Sequence, residues 1–131
     1  MKYRLTVVED NAADLFLLKD VLGRIGISFE IDSFSDGEKA RTYIQQGEAP
    51  RPDLFLFDLN LPFIGGLELL QLLSHEPRFA GLPVLVWSSA QSNQDLAAIA
   101  EFPAVEFIPK PMDLGGFLQI GHKIHEMLQY R

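Results

Sequence analysis

Leu54-Phe55-Leu56-Phe57-Asp58-Leu59-Asn60-Leu61-Pro62 is the stretch that decides the fold. Four apolar residues in succession, with no polar alternation, are what a strand buried on both faces of a parallel sheet requires. The run stops at Asp58, and Pro62, Gly65 and Gly66 follow it, a composition that makes a loop. A further Gly/Pro break, 47–52, precedes it.

Toward the N-terminus, Leu5-Thr6-Val7-Val8 predicts a buried strand that ends in Glu9 and Asp10. Leu15, Leu18, Leu22 and Ile25 recur at offsets 0, 3, 7 and 10, one face of a helix. Phe29 to Phe34 is more polar and suits a strand near a sheet edge. Ser35 and Glu38 resemble a capping box for a second helix, with Ala40, Tyr43 and Ile44 on its buried face.

Toward the C-terminus, a leucine-rich helix ends near His75, and Pro83-Val84-Leu85-Val86-Trp87 predicts a fourth strand ending in Ser88 and Ser89. Ser92 with Asp95 caps a short helix carrying Leu96 and Ile99. Val105-Glu106-Phe107-Ile108 is the fifth strand, ending at Pro109-Lys110-Pro111. Asp113 caps the last helix, where Phe117, Ile120, Ile124 and Leu128 lie at offsets 0, 3, 7 and 11. The pattern is an α/β (βα)5 unit, a doubly wound parallel sheet with helices on both faces, forming one domain over 1–131. The pattern carries no output domain beyond the fifth helix.

Composition bounds the function. The 131 residues are 47% hydrophobic and 22% charged, enough for one core and too apolar for a disordered chain. The net charge of −7 argues against DNA or RNA binding by this chain alone, which needs a basic footprint. The absence of cysteine removes disulfides, thiolate zinc sites and a cysteine nucleophile. No signal-peptide core and no apolar run of ~18–20 residues is present, so the expected setting is cytoplasmic with no membrane contact. No G-x-G-x-x-G or G-K-[ST] pattern supports nucleotide binding. His122, His125 and Glu126 lack the zincin spacing and read as a solvated face.

In an open α/β sheet, ligands bind beyond the carboxyl ends of the strands. Those ends carry Glu9 and Asp10, then Asp58, Ser88 and Lys110. Clustered carboxylates repel unless a partner relieves them. A hard divalent cation does so, and Mg2+ takes carboxylates and water in an octahedron. A carboxylate can itself form an aspartyl-phosphate, and ammonium and hydroxyl donors hold the remaining phosphoryl oxygens. The cluster therefore reads as phosphoryl transfer to a carboxylate, with Asp58 the acceptor because it ends the most buried strand.

These residues resemble the receiver domain of two-component response regulators, the chemotaxis-regulator-like family. The matching motifs are Val7-Val8-Glu9-Asp10-Asn11, Phe57-Asp58-Leu59-Asn60-Leu61-Pro62 with Gly66, Trp87-Ser88-Ser89-Ala90, and Phe107-Ile108-Pro109-Lys110-Pro111. Separations of 48, 30 and 22 residues between Asp10, Asp58, Ser88 and Lys110 suit it too. The resemblance implies a flavodoxin-like fold with strand order 2-1-3-4-5. It implies that Asp58 is the phosphoacceptor for a sensor histidine kinase, and that Mg2+ is held by Glu9, Asp10, Asp58 and the backbone carbonyl of Asn60. Ser88, Ser89 and Lys110 would bind the phosphoryl group, Ser88 and Phe107 would be the switch pair, and Asn60 and Ala90 would modulate rate. A cis bond before Pro111 is expected as well.

Pro50-Arg51-Pro52-Asp53-Leu54 and Asp58 through Pro62 resemble a narrower subgroup, stand-alone receivers partnered with phytochrome-type kinases. Gly65, Pro103 and Pro109 depart from the family pattern and bear on loop shape around the fourth helix and fifth strand. Ser88 moving toward a phosphoryl oxygen would vacate space for Phe107 to turn inward. The face of the fourth helix, fifth strand and fifth helix would then meet a downstream protein or a second copy. Alternatives are a pseudo-receiver scaffold that never takes phosphate and an aspartyl-phosphate phosphatase. The phosphatase would need a second acid where Asn60 stands, and the scaffold would normally lack Asp58 or Lys110.

Overall fold

The architecture follows from which strands have no polar face. In the computed structural model, which describes residues 2–47 and 50–129, five strands and five α-helices alternate: β1 (Lys2–Val8), α1 (Ala12–Arg24), β2 (Ser28–Phe34), α2 (Gly37–Gln45), β3 (Leu54–Asp58), α3 (Gly66–Ser74), β4 (Val84–Ser88), α4 (Asn93–Ala100), β5 (Val105–Pro109) and α5 (Leu114–Gln129). Of the expected break at 47–52, residues 48 and 49 lie outside the described residues.

The sheet is wholly parallel in the order β2-β1-β3-β4-β5. Every residue of β3 and β4 is buried, whereas the edge strands β2 and β5 alternate between covered and exposed. Two cores result. One holds Val8, Phe55, Phe57, Val84 and Val86 against α2, α3 and α4. The other holds Leu5, Val7, Leu54, Leu56, Leu85 and Trp87 against α1 and α5. Each fully buried Leu or Phe contributes roughly 1.5–3 kcal/mol, so the β3 run anchors both layers.

Helix starts are set by side chains that accept from free backbone amides. The Asn11 side chain accepts from the amides of Ala13 and Asp14, and Ser92 and Asp95 form the expected capping box. Asp113 accepts from the Gly116 amide at 2.8 Å, as expected for the last helix. At α2 the expectation is corrected. Asp36, not Ser35, is the cap, accepting from the Lys39 amide at 2.8 Å. Ser35 Oγ instead accepts from Lys39 Nζ at 3.1 Å. Asp36 holds the position one residue nearer the helix, and its carboxylate favours the positive end of the helix dipole.

Pro103 has the consequence its sequence position suggests. Helix α4 closes without a glycine, and Ala104 takes the left-handed conformation at φ 64° to enter β5. A second correction concerns Pro111. No cis peptide bond occurs among the described residues, so the bond between Lys110 and Pro111 is trans. Trans is the lower-energy isomer even before proline, and Lys110 reaches the acidic cluster from it.

Candidate functional site

The carboxyl ends of β1, β3, β4 and β5 converge because all four strands run the same way and are neighbours in the sheet. Three of the acids predicted from sequence meet there. Ligand atoms of Glu9, Asp10 and Asp58 lie within 4.8 Å of one another. Glu9 and Asp58 are buried and Asp10 is exposed. The cluster is thus floored by protein and open on one side.

Lys110 spans the cluster from the position just after β5. Its Nζ donates to Asp58 Oδ2 at 2.7 Å and to Asp14 Oδ2 at 2.8 Å, and it stands 2.9 Å from Glu9 Oε1. The ammonium also lies 5.2 Å from the centre of the Trp87 ring, within the range of a cation–π contact. Three opposite charges push the Lys110 pKa above its ordinary value against the opposing effect of burial, so it stays charged. Burial pushes the Glu9 carboxyl up to about 7, against the lowering pull of Lys110 and the Asn11 amide.

Asp58 is held in place from both sides. Its Oδ1 accepts from the Asn60 amide at 2.9 Å and its Oδ2 accepts from Lys110 Nζ at 2.7 Å. Behind it, Gly66 permits the close return of the loop, for a Cβ there would stand 2.8 Å from Leu59 Cα and 3.0 Å from the Asp58 carbonyl oxygen.

Ser88 is buried at the end of β4, and its hydroxyl is tied into the following loop. It donates to the Ala90 carbonyl at 2.7 Å and accepts from the Ala90 amide at 3.0 Å. Asn60 Nδ2 donates to the same hydroxyl at 2.9 Å and to the Ala90 carbonyl at 2.6 Å. Ser89 and Ala90 are exposed beside it. Phe107 is half-buried and packs on the core beneath α3 and α4. His122 and Glu126 are exposed and His125 is half-buried on α5, away from the acidic cluster.

The divalent-cation expectation fits this donor set. Oxygen ligands from three carboxylates suit a hard cation, and Glu9 Oε1 is buried without an aligned hydrogen-bond donor. Two residues at the site were not foreseen. Asp14 binds Lys110 from the first turn of α1, and Asn11 both caps that helix and donates its own amide to Glu9 Oε2 at 2.9 Å. The signal lay in the motif: an asparagine cap directly after β1 aims the first turn of α1 at the same crevice.

Comparison with known proteins now decides the family. The profile described as "Response regulator receiver domain" matches residues 5–120. The chain is a response regulator receiver domain. Receiver domains of this family are signalling switches of two-component systems that accept phosphate from histidine kinases.

Among its relatives, the receiver is 35% identical over 112 residues to Response regulator Rcp1 of Synechocystis, covering 82% of this chain and 76% of that one. It resembles the phosphorylated cyanobacterial phytochrome response regulator RcpA with a TM-score of 0.86 at 32% identity, covering 99% and 96% of the two chains. Its likeness to the Mn2+-bound form of Rcp1 has a TM-score of 0.82 at 31% identity, covering 95% and 92%. A chemotaxis response regulator of Vibrio cholerae shares the fold at 18% identity. No helix among the described residues is long and apolar enough to cross a membrane.

Proposed function

We propose that this receiver takes a phosphoryl group onto Asp58 from the phosphohistidine of a phytochrome-type sensor kinase, with Mg2+ at Glu9, Asp10, Asp58 and the Asn60 carbonyl. The observation that carries this reading is the placement of Lys110 Nζ, 2.7 Å from Asp58 Oδ2 and 2.9 Å from Glu9 Oε1. It puts a fixed positive charge where transferred phosphoryl oxygens must be received.

In the step, a carboxylate oxygen of Asp58 forms the new P–O bond as the P–N bond of phosphohistidine breaks. The electron pair leaves on the imidazole nitrogen, so no outside oxidant or reductant is needed. The cation supplies neutralisation of phosphoryl charge. Lys110 turns its proton from Asp58 toward a phosphoryl oxygen, and Ser88, with Ser89 beside it, is the hydroxyl donor for another. Ser88 must first leave Ala90 and Asn60, which couples chemistry to the loop after β4. Phe107 follows inward, and the surface of α4, β5 and α5 changes for a downstream protein or a second copy. Lys123 of α5 already bonds Glu106 of β5 at 2.6 Å across that surface.

Asn60 argues against a phosphatase, since its amide is committed to Ser88 and Ala90 and offers no acid. The pairing of Asp58 with Lys110 argues against a scaffold that never takes phosphate. The net charge of −7 supports a role without nucleic acid. The test is transfer of labelled phosphate from autophosphorylated histidine kinases in Mg2+. Faster transfer from a phytochrome-type kinase, abolished by Asp58→Asn, is expected; equal labelling of the Asp58→Asn protein would overturn the assignment.

A further inference from the structure

We infer that Asp14 is a positioning residue for Lys110, holding the ammonium over Asp58 when a divalent cation claims the other carboxylates; this rests on the phosphoacceptor reading of Asp58. Lys110 Nζ has three protons and faces three carboxylates. Two of these, Glu9 and Asp58, also belong to the acidic cluster that fits a cation. A cation and an ammonium compete for the same oxygens there. Asp14, at 2.8 Å, is the carboxylate of the lysine's set that lies outside the cation cluster.

The backbone makes Asp14 a dependable anchor. Its amide is bonded to the Asn11 cap at 3.2 Å, and its side chain is mostly covered at 21% exposure. Lys110 is itself only 10% exposed, lying near the Trp87 ring, with its backbone amide bonded to the Ser88 carbonyl at 2.8 Å. When the cation weakens the pairs to Glu9 and Asp58, Asp14 keeps the ammonium from swinging to solvent. The phosphoryl group then meets a donor already in place. Asp14 touches neither the phosphoryl group nor the cation; it acts through Lys110.

The experiment is a double-mutant cycle on the whole chain, combining Asp14→Asn with Lys110→Met. Two quantities are read: the rate of phosphoryl gain from acetyl phosphate in saturating Mg2+, by intact mass, and Mg2+ affinity by calorimetry. Asp14→Asn is expected to slow phosphoryl gain about tenfold, the scale of one charge-assisted contact. The effect is expected to vanish in the Lys110→Met background and to be partly restored by Asp14→Glu. A merely structural or long-range electrostatic role would persist without the lysine.

An unchanged rate in Asp14→Asn, or an equal loss in both backgrounds, would overturn the inference while leaving the phosphoacceptor reading intact. No phosphoryl gain by the unsubstituted chain would overturn both. A loss of Mg2+ affinity in Asp14→Asn that is independent of Lys110 would show that Asp14 serves the cation directly, contrary to the inference.

Discussion

Asn60 Nδ2 lies 2.9 Å from Ser88 Oγ and donates to it, so the loop after β3 latches the hydroxyl at the end of β4. The same amide holds the Ala90 carbonyl at 2.6 Å. Ser88 in this arrangement points its hydrogen-bonding capacity into the β4–α4 loop, and the proposed transfer to Asp58 calls for these bonds to be exchanged. Asn60→Ala removes the latch but leaves the two Ser88–Ala90 bonds. A neutral hydrogen bond contributes ~0.5–1.5 kcal/mol, so the affinity for beryllofluoride, a phosphoryl mimic, is predicted to rise roughly 2–10-fold. Titration in Mg2+ followed by NMR of the Ser88 and Phe107 amides checks this, and an unchanged affinity would deny the latch.

Glu9 makes a pH prediction. Its carboxyl titrates near 7 when folded, against 4.5 ordinarily, chiefly because it is buried. The folded chain therefore binds an extra proton between these values, and the metal-free protein gains stability as pH falls from about 7 toward 4.5. The gain is roughly 1–3 kcal/mol at its full extent. A cation needs the ionised carboxylate, so Mg2+ affinity moves the other way and weakens below pH 7. Urea unfolding across pH, with Glu9→Gln expected to flatten the slope and stabilise the metal-free protein at pH 8, measures the first effect. Calorimetric Mg2+ titration at pH 6 and pH 8 measures the second.

Gly66 sustains the acceptor loop by what it lacks. A methyl group there meets Leu59 Cα at 2.8 Å and the Asp58 carbonyl oxygen at 3.0 Å, both backbone atoms. Gly66→Ala is predicted to destabilise by ~1–3 kcal/mol, as overpacking does. It should also slow phosphoryl gain, because the displaced backbone carries Asp58. Denaturant unfolding alongside the acetyl phosphate rate reads both; an unaffected rate would mean the loop yields elsewhere.

Ala104 is strained at φ 64°. A left-handed L-residue costs roughly 1–2 kcal/mol, and glycine returns part of that through its freer unfolded chain. Ala104→Gly is predicted to stabilise by about 0.5–1 kcal/mol without altering phosphoryl gain, as judged by urea unfolding and intact mass.

What could be read in advance was what depends on local pattern. The uninterrupted Leu54–Phe57 run announced a strand buried on both faces, and the acids, hydroxyl and lysine at strand ends announced one site. Features made by distant partners were not legible. Strand β1 begins at Lys2 rather than Leu5 because Lys2, Tyr3 and Arg4 pair with Ser28, Phe29 and Glu30, and the Arg4 amide donates to Asp53 at 2.7 Å. Nothing local marks Asp14 among first-turn acids; its partner Lys110, just past β5, lies 96 positions away in sequence. The choice of Asp36 over Ser35 as cap turned on a single-residue difference in where α2 starts, which periodicity does not resolve.

The central claim is that Asp58, flanked by Glu9, Asp10 and Lys110, is a phosphoryl acceptor that works with a divalent cation. Intact mass after incubation with acetyl phosphate and Mg2+ tests it most directly. A labile gain of one phosphoryl group, lost on chelation of the cation before incubation and absent in Asp58→Asn, is predicted. No gain, or a gain that survives Asp58→Asn, would contradict it.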